Sequence, residues 1–219
     1  MSAPEKQPSP VPRGARLVVA CILGTLALTG LDLGTKALVE DRLSERPTWD
    51  PPPVCEVTEG GRLRGPQRIP TSPIVLIDGY LEFHYAENCG AAFGLMNKAP
   101  SWVRRTIFAG AAAITCLALL WMFARGFGGG LFAWSVPLIV SGALGNLVDR
   151  VRYGYVVDFI RFHWQGQWSY PTFNVADCTI TVGVVLFLID GFMEDRRAKR
   201  EASSAGPAPK SDAKTEVEA

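Results

Sequence analysis

The sequence predicts an all-α membrane protein with four transmembrane helices and a small external β-element between helices one and two. Three observations carry this. Four stretches, Leu17–Leu31, Thr106–Ala124, Leu131–Val148 and Phe173–Ile189, are apolar and nearly free of charge. A helix needs roughly 20 such residues, in a range of about 17–25, to cross the hydrocarbon core. Basic residues flank the outermost pair, with Lys6, Arg13 and Arg16 before the first and Arg196, Arg197, Lys199 and Arg200 after the last. Between the first two stretches, Asp78-Gly79 separates two short apolar runs, a hairpin signal.

Taken in order, residues 1–15 are rich in Pro and charge and read as a disordered tail. A four-span domain over residues 16–195 follows. The first span, about 17–38, is long enough only if Asp32 and Lys36 lie in its outer end. Four apolar residues separate Arg16 from Cys21, too few for a signal-peptide core, so this span is expected to stay uncleaved. Residues 46–73 hold seven prolines and a Gly-Gly pair, which predicts an irregular insertion rather than an element. The β-element is expected over 74–94. Ile74–Ile77 forms its first run, and Leu81, Phe83 and Tyr85 alternate with Glu82 and His84 in the second. Spans are expected at about 104–124, 131–149 and 173–193. An external link over 150–172 joins the last two, and a second disordered tail covers 196–219.

An even number of spans puts both ends on one side. The positive-inside rule makes that side cytoplasmic, and Arg125 between spans two and three agrees. The arginines of the segment 40–101 run against the rule, but loops of that length weigh little in it. The formal net charge is +1, which gives no footprint for nucleic acid. The five cysteines, 21, 55, 89, 116 and 178, show no CxxC or Cys/His spacing, so no metal site is expected. Cys21 and Cys116 read as membrane-buried fillers. Cys55 and Cys89 fall in the external segment, where a disulfide is chemically permitted, and the sequence leaves the pairing open. His84 and His163 have no partner spacing for nucleophilic or metal chemistry.

The polar residues within the spans are the functional signal. Thr25, Thr29, Asp32 and Lys36 share one stripe of the first helix, and the i,i+4 spacing lets Asp32 pair with Lys36. Gly142, Asn146, Asp149 and Arg150 share a face of the third, where Ser141, Gly142, Ala143 and Gly145 allow close helix approach. Asn174, Asp177 and Thr181 open the fourth. Each set sits at the external end of its helix. Asp158 lies in the link 150–172, 19 residues before Asp177. Ionisable groups at membrane depth are costly to desolvate and normally functional. Two facing carboxylates can share one proton, one acting as base and the other as acid. A proton-coupled transporter would use the same carboxylates. The absence of an internal repeat and of a broken helix weighs against it.

Five motifs occur in order: Leu31-Asp32-Leu33-Gly34-Thr35-Lys36, Asn88-Cys89-Gly90-Ala91-Ala92-Phe93-Gly94, Gly145-Asn146-Leu147-Val148-Asp149-Arg150, Gly154-Tyr155-Val156-Val157-Asp158-Phe159 and Phe173-Asn174-Val175-Ala176-Asp177. Together they resemble the lipoprotein signal peptidase family, also called signal peptidase II, over about residues 17–193. The resemblance implies an aspartic endopeptidase of the bacterial inner membrane. It would cut lipid-modified prolipoproteins N-terminal to their diacylglyceryl cysteine, as a monomer in membrane lipid without a cofactor. The catalytic aspartates would be Asp158 and Asp177, supported by Asp32, Lys36, Asn88, Gly90, Asn146, Asp149, Arg150 and Asn174. The resemblance also implies an external β-cradle and an external lid before span four. This sequence departs from the family pattern in the length of segment 46–73 and in Cys178. The insertion carries no motif residue, so deleting residues 50–68 is expected to leave cleavage largely intact. The opposing expectation is a Cys55–Cys89 bond that holds the β-element beside Asn88.

Overall fold

The structure is a computed structural model, and it describes residues 11–48, 55, 67–90 and 100–204. Four helices run through it: α1 (Ala15–Leu43), α2 (Ser101–Ala124), α3 (Gly130–Arg152) and α4 (Val175–Ser204). All four are long and apolar enough to cross a membrane. Each of α1, α3 and α4 exceeds its expected span. α4 begins two residues after Phe173, which forms a β-bridge with Ile160 instead, and runs on past Met193 to Ser204.

α3 is the centre of the bundle. In its most apolar window 56% of residues are buried, against 17% in α1 and α2 and 22% in α4, so the other three leave most of their apolar windows uncovered by protein. Small residues let the neighbours close on it. A Cβ on Gly142 would meet the Ala176 carbonyl and the Thr179 hydroxyl of α4, and one on Gly183 would meet Ile139. Cys21, Cys116, Leu119, Phe123, Phe132, Val136, Ile139 and Val140 form one apolar cluster, so Cys21 and Cys116 are the expected fillers. At the bundle end away from the sheet, Asp190 accepts from the Gly129 and Leu131 amides at 2.7 and 3.1 Å. Arg13 donates to the carbonyls of Phe127 and Gly128 nearby.

The β-structure is larger than expected. A four-stranded antiparallel sheet has the order β3 (Ile74–Ile77), β4 (Leu81–Asn88), β5 (Val156–Trp164) and β6 (Trp168–Ser169). Half of it comes from the link between α3 and α4, for which no strand was expected. The period-2 alternation of Ile160, Arg161, Phe162, His163 and Trp164 is the signal for that strand. The predicted hairpin is present, but Tyr80 belongs to the turn, whose Gly79 has φ +76°. Glu82 does not face solvent; it is buried against Arg161 at 3.1 Å.

Segment 46–73 is also not wholly irregular. Its end forms β2 (Ile69–Pro70), which pairs with β1 (Ser44–Glu45). Cys55, within it, is bonded to Cys89, and the Cα atoms are 5.4 Å apart. Cys55 lies in a second apolar cluster with Val39, Leu43, Tyr85, Tyr155, Val157 and Phe159. This is the bond that the opposing expectation named, and it ties the insertion to the residue beside Asn88. Most of its residues, and Ala91–Gly94 of the second motif, lie outside the described residues.

Candidate active site

The polar residues of the spans occupy a layer between the two apolar clusters. Along α1, Cys21 belongs to the inner cluster and Val39 and Leu43 to the outer, with Asp32 and Lys36 between them. Asp32, Lys36, Asp149, Asp158 and Asn174 are each no more than 2% exposed. Groups so buried must find partners within the protein.

Lys36 meets that demand for two carboxylates. Its Nζ lies 2.8 Å from Asp32 Oδ2 and 3.0 Å from Asp149 Oδ2, and donates to Asn146 Oδ1 at 3.0 Å. Asp32 Oδ1 accepts the Ala176 amide at 2.8 Å, joining α1 to the first turn of α4. Asp149 Oδ2 accepts the Val157 amide at 3.1 Å, joining α3 to β5 next to Asp158. Gly145 makes the first of these approaches possible, because a Cβ there would strike the Asp32 carboxylate.

Two asparagines carry the network to the aspartates. Asn146 Nδ2 donates to Asp177 Oδ1 at 2.9 Å. Asn174 Nδ2 donates to Asp158 Oδ1 at 2.6 Å and to Asn146 Oδ1 at 3.1 Å. Asn174 also caps α4: its Oδ1 accepts the Asp177 amide, and its own amide donates to Asp177 Oδ2. This is the reciprocal pattern of a capping box. The second oxygen of Asp158 accepts from Asn88 Nδ2 at 2.8 Å, across the β4–β5 pair. Gly90 contributes its amide to Asn88 Oδ1 at 3.1 Å. Arg150 donates to the Asn146 carbonyl and lies over the Phe108 ring.

All ten residues singled out in the sequence therefore meet in one network or border it. Burial first, and Asp177 second, push Asp158 up to about 7. Its position disfavours the ionised form and a like charge stands beside it. Asp177 is more accessible and lines a cavity of about 370 Å³ with Tyr170, Phe173, Cys178, Thr181 and Val182. The pair thus combines one buried carboxyl with one that opens outward. His163 stands 3.8 Å from Glu82, away from this network.

A family model described as signal peptidase (SPase) II matches residues 24–193. Lipoprotein signal peptidase of Ectopseudomonas mendocina is 40% identical over 129 residues, 59% of this chain and 76% of that protein. The protein of the same name from Ralstonia nicotianae is 44% identical over 124 residues, 57% of this chain and 69% of that protein. Two solved structures, each described as a bacterial membrane enzyme, share the fold. One has a TM-score of 0.59 at 24% identity, covering 89% of this chain and 96% of its own. The other has a TM-score of 0.55 at 26% identity, covering 78% and 92%. The transporter alternative finds no support in these likenesses. The chain belongs to the signal peptidase II family, as a peptidase that crosses the membrane several times.

Proposed function

We propose that this peptidase is of the aspartic type, with Asp158 and Asp177 as its catalytic pair, and that it removes signal peptides from lipoprotein precursors. The observation that carries this is the position of Asn174. One side chain holds the Asp158 carboxyl and caps the helix turn bearing Asp177. Two carboxyl groups tied to one residue in a buried layer are equipped to share a proton.

Asp158, pushed up to about 7, keeps its proton near neutral pH. Asp177, which accepts from Asn146 and from the Asn174 amide, is the carboxylate. A water held between them gives a proton to Asp177 and attacks the scissile carbonyl carbon. Asp158 donates its proton to the carbonyl oxygen. The tetrahedral diol then collapses: the C–N bond breaks, Asp177 protonates the leaving nitrogen, and a diol hydroxyl returns a proton to Asp158. Both groups end as they began.

The substrate class follows from the names of the relatives, which are lipoprotein signal peptidases. The scissile bond would lie N-terminal to the diacylglyceryl cysteine. The basic flanks of α1 and α4 support an orientation with both termini cytoplasmic. The site then lies near the periplasmic face.

The test is cleavage of a diacylglyceryl prolipoprotein by purified protein in detergent or bilayer. The parent should release the signal peptide, and Asp158→Asn and Asp177→Asn should each lose at least about 10²-fold in rate while remaining folded. Near-normal turnover by either variant would sink the pair.

A further inference from the structure

We propose that the segment between α1 and β3 is a positioning device for Asp158, acting on Asn88 through the residues on either side of it. The inference rests on the assignment of Asp158 as catalytic.

Asn88 is the last residue of β4, paired opposite Val156. A strand end has few backbone constraints of its own. Yet its amide must stay aimed at Asp158 Oδ2, 2.8 Å away. The residue before it, Glu87, accepts the Gln67 amide at 2.7 Å and the Arg68 amide at 2.9 Å. The residue after it, Cys89, is bonded to Cys55. Cys55, Gln67 and Arg68 all belong to the insertion.

The insertion is anchored in turn. Arg68 pairs with Glu40 at 3.2 Å and donates to Ser44 Oγ at 2.7 Å, which fixes it to the end of α1. Cys55 is buried in the cluster that includes Val157 and Phe159, the two neighbours of Asp158 on β5. Asn88 is thus bracketed by a segment that grips both α1 and the strand carrying the carboxyl. None of the clamping residues touches a reacting atom. They act through Asn88, and a misplaced hydrogen bond at that point weakens the alignment on which the acid depends.

The test uses the full chain and a diacylglyceryl prolipoprotein, with kcat, KM and the pH profile as readouts. The variants are Cys55→Ser with Cys89→Ser, Glu87→Gln, Asn88→Ala, and the combinations with Asn88→Ala. Loss of the disulfide should lower kcat on the order of tenfold and leave KM little changed. The alkaline limb should also move to higher pH, because the Asn88 bond favours the ionised form of Asp158. The charged groups around Asp158 are Asp177 of α4, Lys36 of α1 and Arg150 of α3, and all remain in these variants. Asn88→Ala should move the limb the same way, and adding the cysteine or Glu87 change to it should bring no further loss.

Dithiothreitol, which converts the bond to two thiols and itself to a cyclic disulfide, should reproduce the effect on folded parent protein and do nothing to the serine variant. If the serine variant fails to fold, Glu87→Gln and reduction of the folded parent decide the matter. A lower Tm with unmoved kcat and alkaline limb would overturn the proposal, as would losses that multiply with Asn88→Ala. An active Asp158→Asn enzyme would instead overturn the catalytic pair itself. An inactive Asp158→Asn beside an unmoved limb in the other variants would overturn the clamp alone.

Discussion

Asn174 and Asp177 cap one another across the first turn of α4, each donating its backbone N–H to the other's side chain, at 3.0 and 3.2 Å. The side-chain Nδ2 of Asn174 donates to Asp158 Oδ1 at 2.6 Å. Helix formation and orientation of the two carboxyl groups are therefore one event.

Asn174→Ala should cost about 1 kcal/mol of stability as a lost cap, and should reduce kcat on the order of 10²-fold or more by freeing Asp158. Thr106→Val on α2, where the hydroxyl only returns to the Trp102 carbonyl, should leave turnover unchanged. Thermal unfolding and single-turnover cleavage of both variants separate the two effects. Equal small losses at the two positions would refute the assignment of Asn174.

The pH dependence has a definite sign. In the proposed mechanism Asp158 acts as the acid, and its carboxyl is pushed up to about 7 from an ordinary 3.8, so turnover should fall as pH rises through about 7. The folded chain holds the Asp158 proton more tightly than the unfolded chain. From this group, stability therefore declines as pH rises between about 3.8 and about 7. A flat rate profile with chemistry limiting would contradict this assignment, and Asp158→Asn should lose the corresponding part of the stability slope.

Lys36→Met should destabilise the fold by roughly 3–5 kcal/mol, because it leaves Asp32 and Asp149 buried without their common cation. Adding Asp149→Asn should recover part of the loss. Unfolding of the single and double variants in detergent measures the coupling. Strict additivity would show that the three charges do not act as a unit.

Gly145→Ala should be poorly tolerated, since the new methyl meets the Asp32 carboxylate. A cost of about 1–3 kcal/mol is the usual range for such overpacking. Gly30→Ala, on the same α1 as Asp32 but facing open space, should be neutral or slightly stabilising. Comparing their unfolding midpoints checks whether close approach, rather than helix propensity, requires the glycine.

Much of the architecture could be read from the chain. Span length and charge placement are one-dimensional properties, and the 3.6-residue period puts Asp32 with Lys36 on one face of α1, and Asn146 with Asp149 on one face of α3, without any knowledge of packing. The strand carrying Asp158 was harder to see. Val156–Phe159 reads as a short mixed run, the alternation that signals β5 begins only at Ile160, and the partner β4 lies some 70 residues earlier. The Cys55–Cys89 bond was open because cysteine spacing does not determine connectivity. Pro-rich composition also concealed how the insertion is held, since its ties include two backbone amides, the Arg68 side chain, a two-residue strand pair and one disulfide rather than a core of its own.

The pairing of β4 with β5 bears on how the molecule is made. Asn88 and Asp158 are 70 positions apart, and the Asp32 contact with the Ala176 amide spans 144. A nascent chain that has threaded three helices into the bilayer holds Asp158 but has neither Asn174 nor Asp177. The proposed catalytic pair is complete only when the final helix is inserted and its first turn docks against α1. On that assignment a partly translated chain would be silent, and the membrane would meet the activity only in finished molecules.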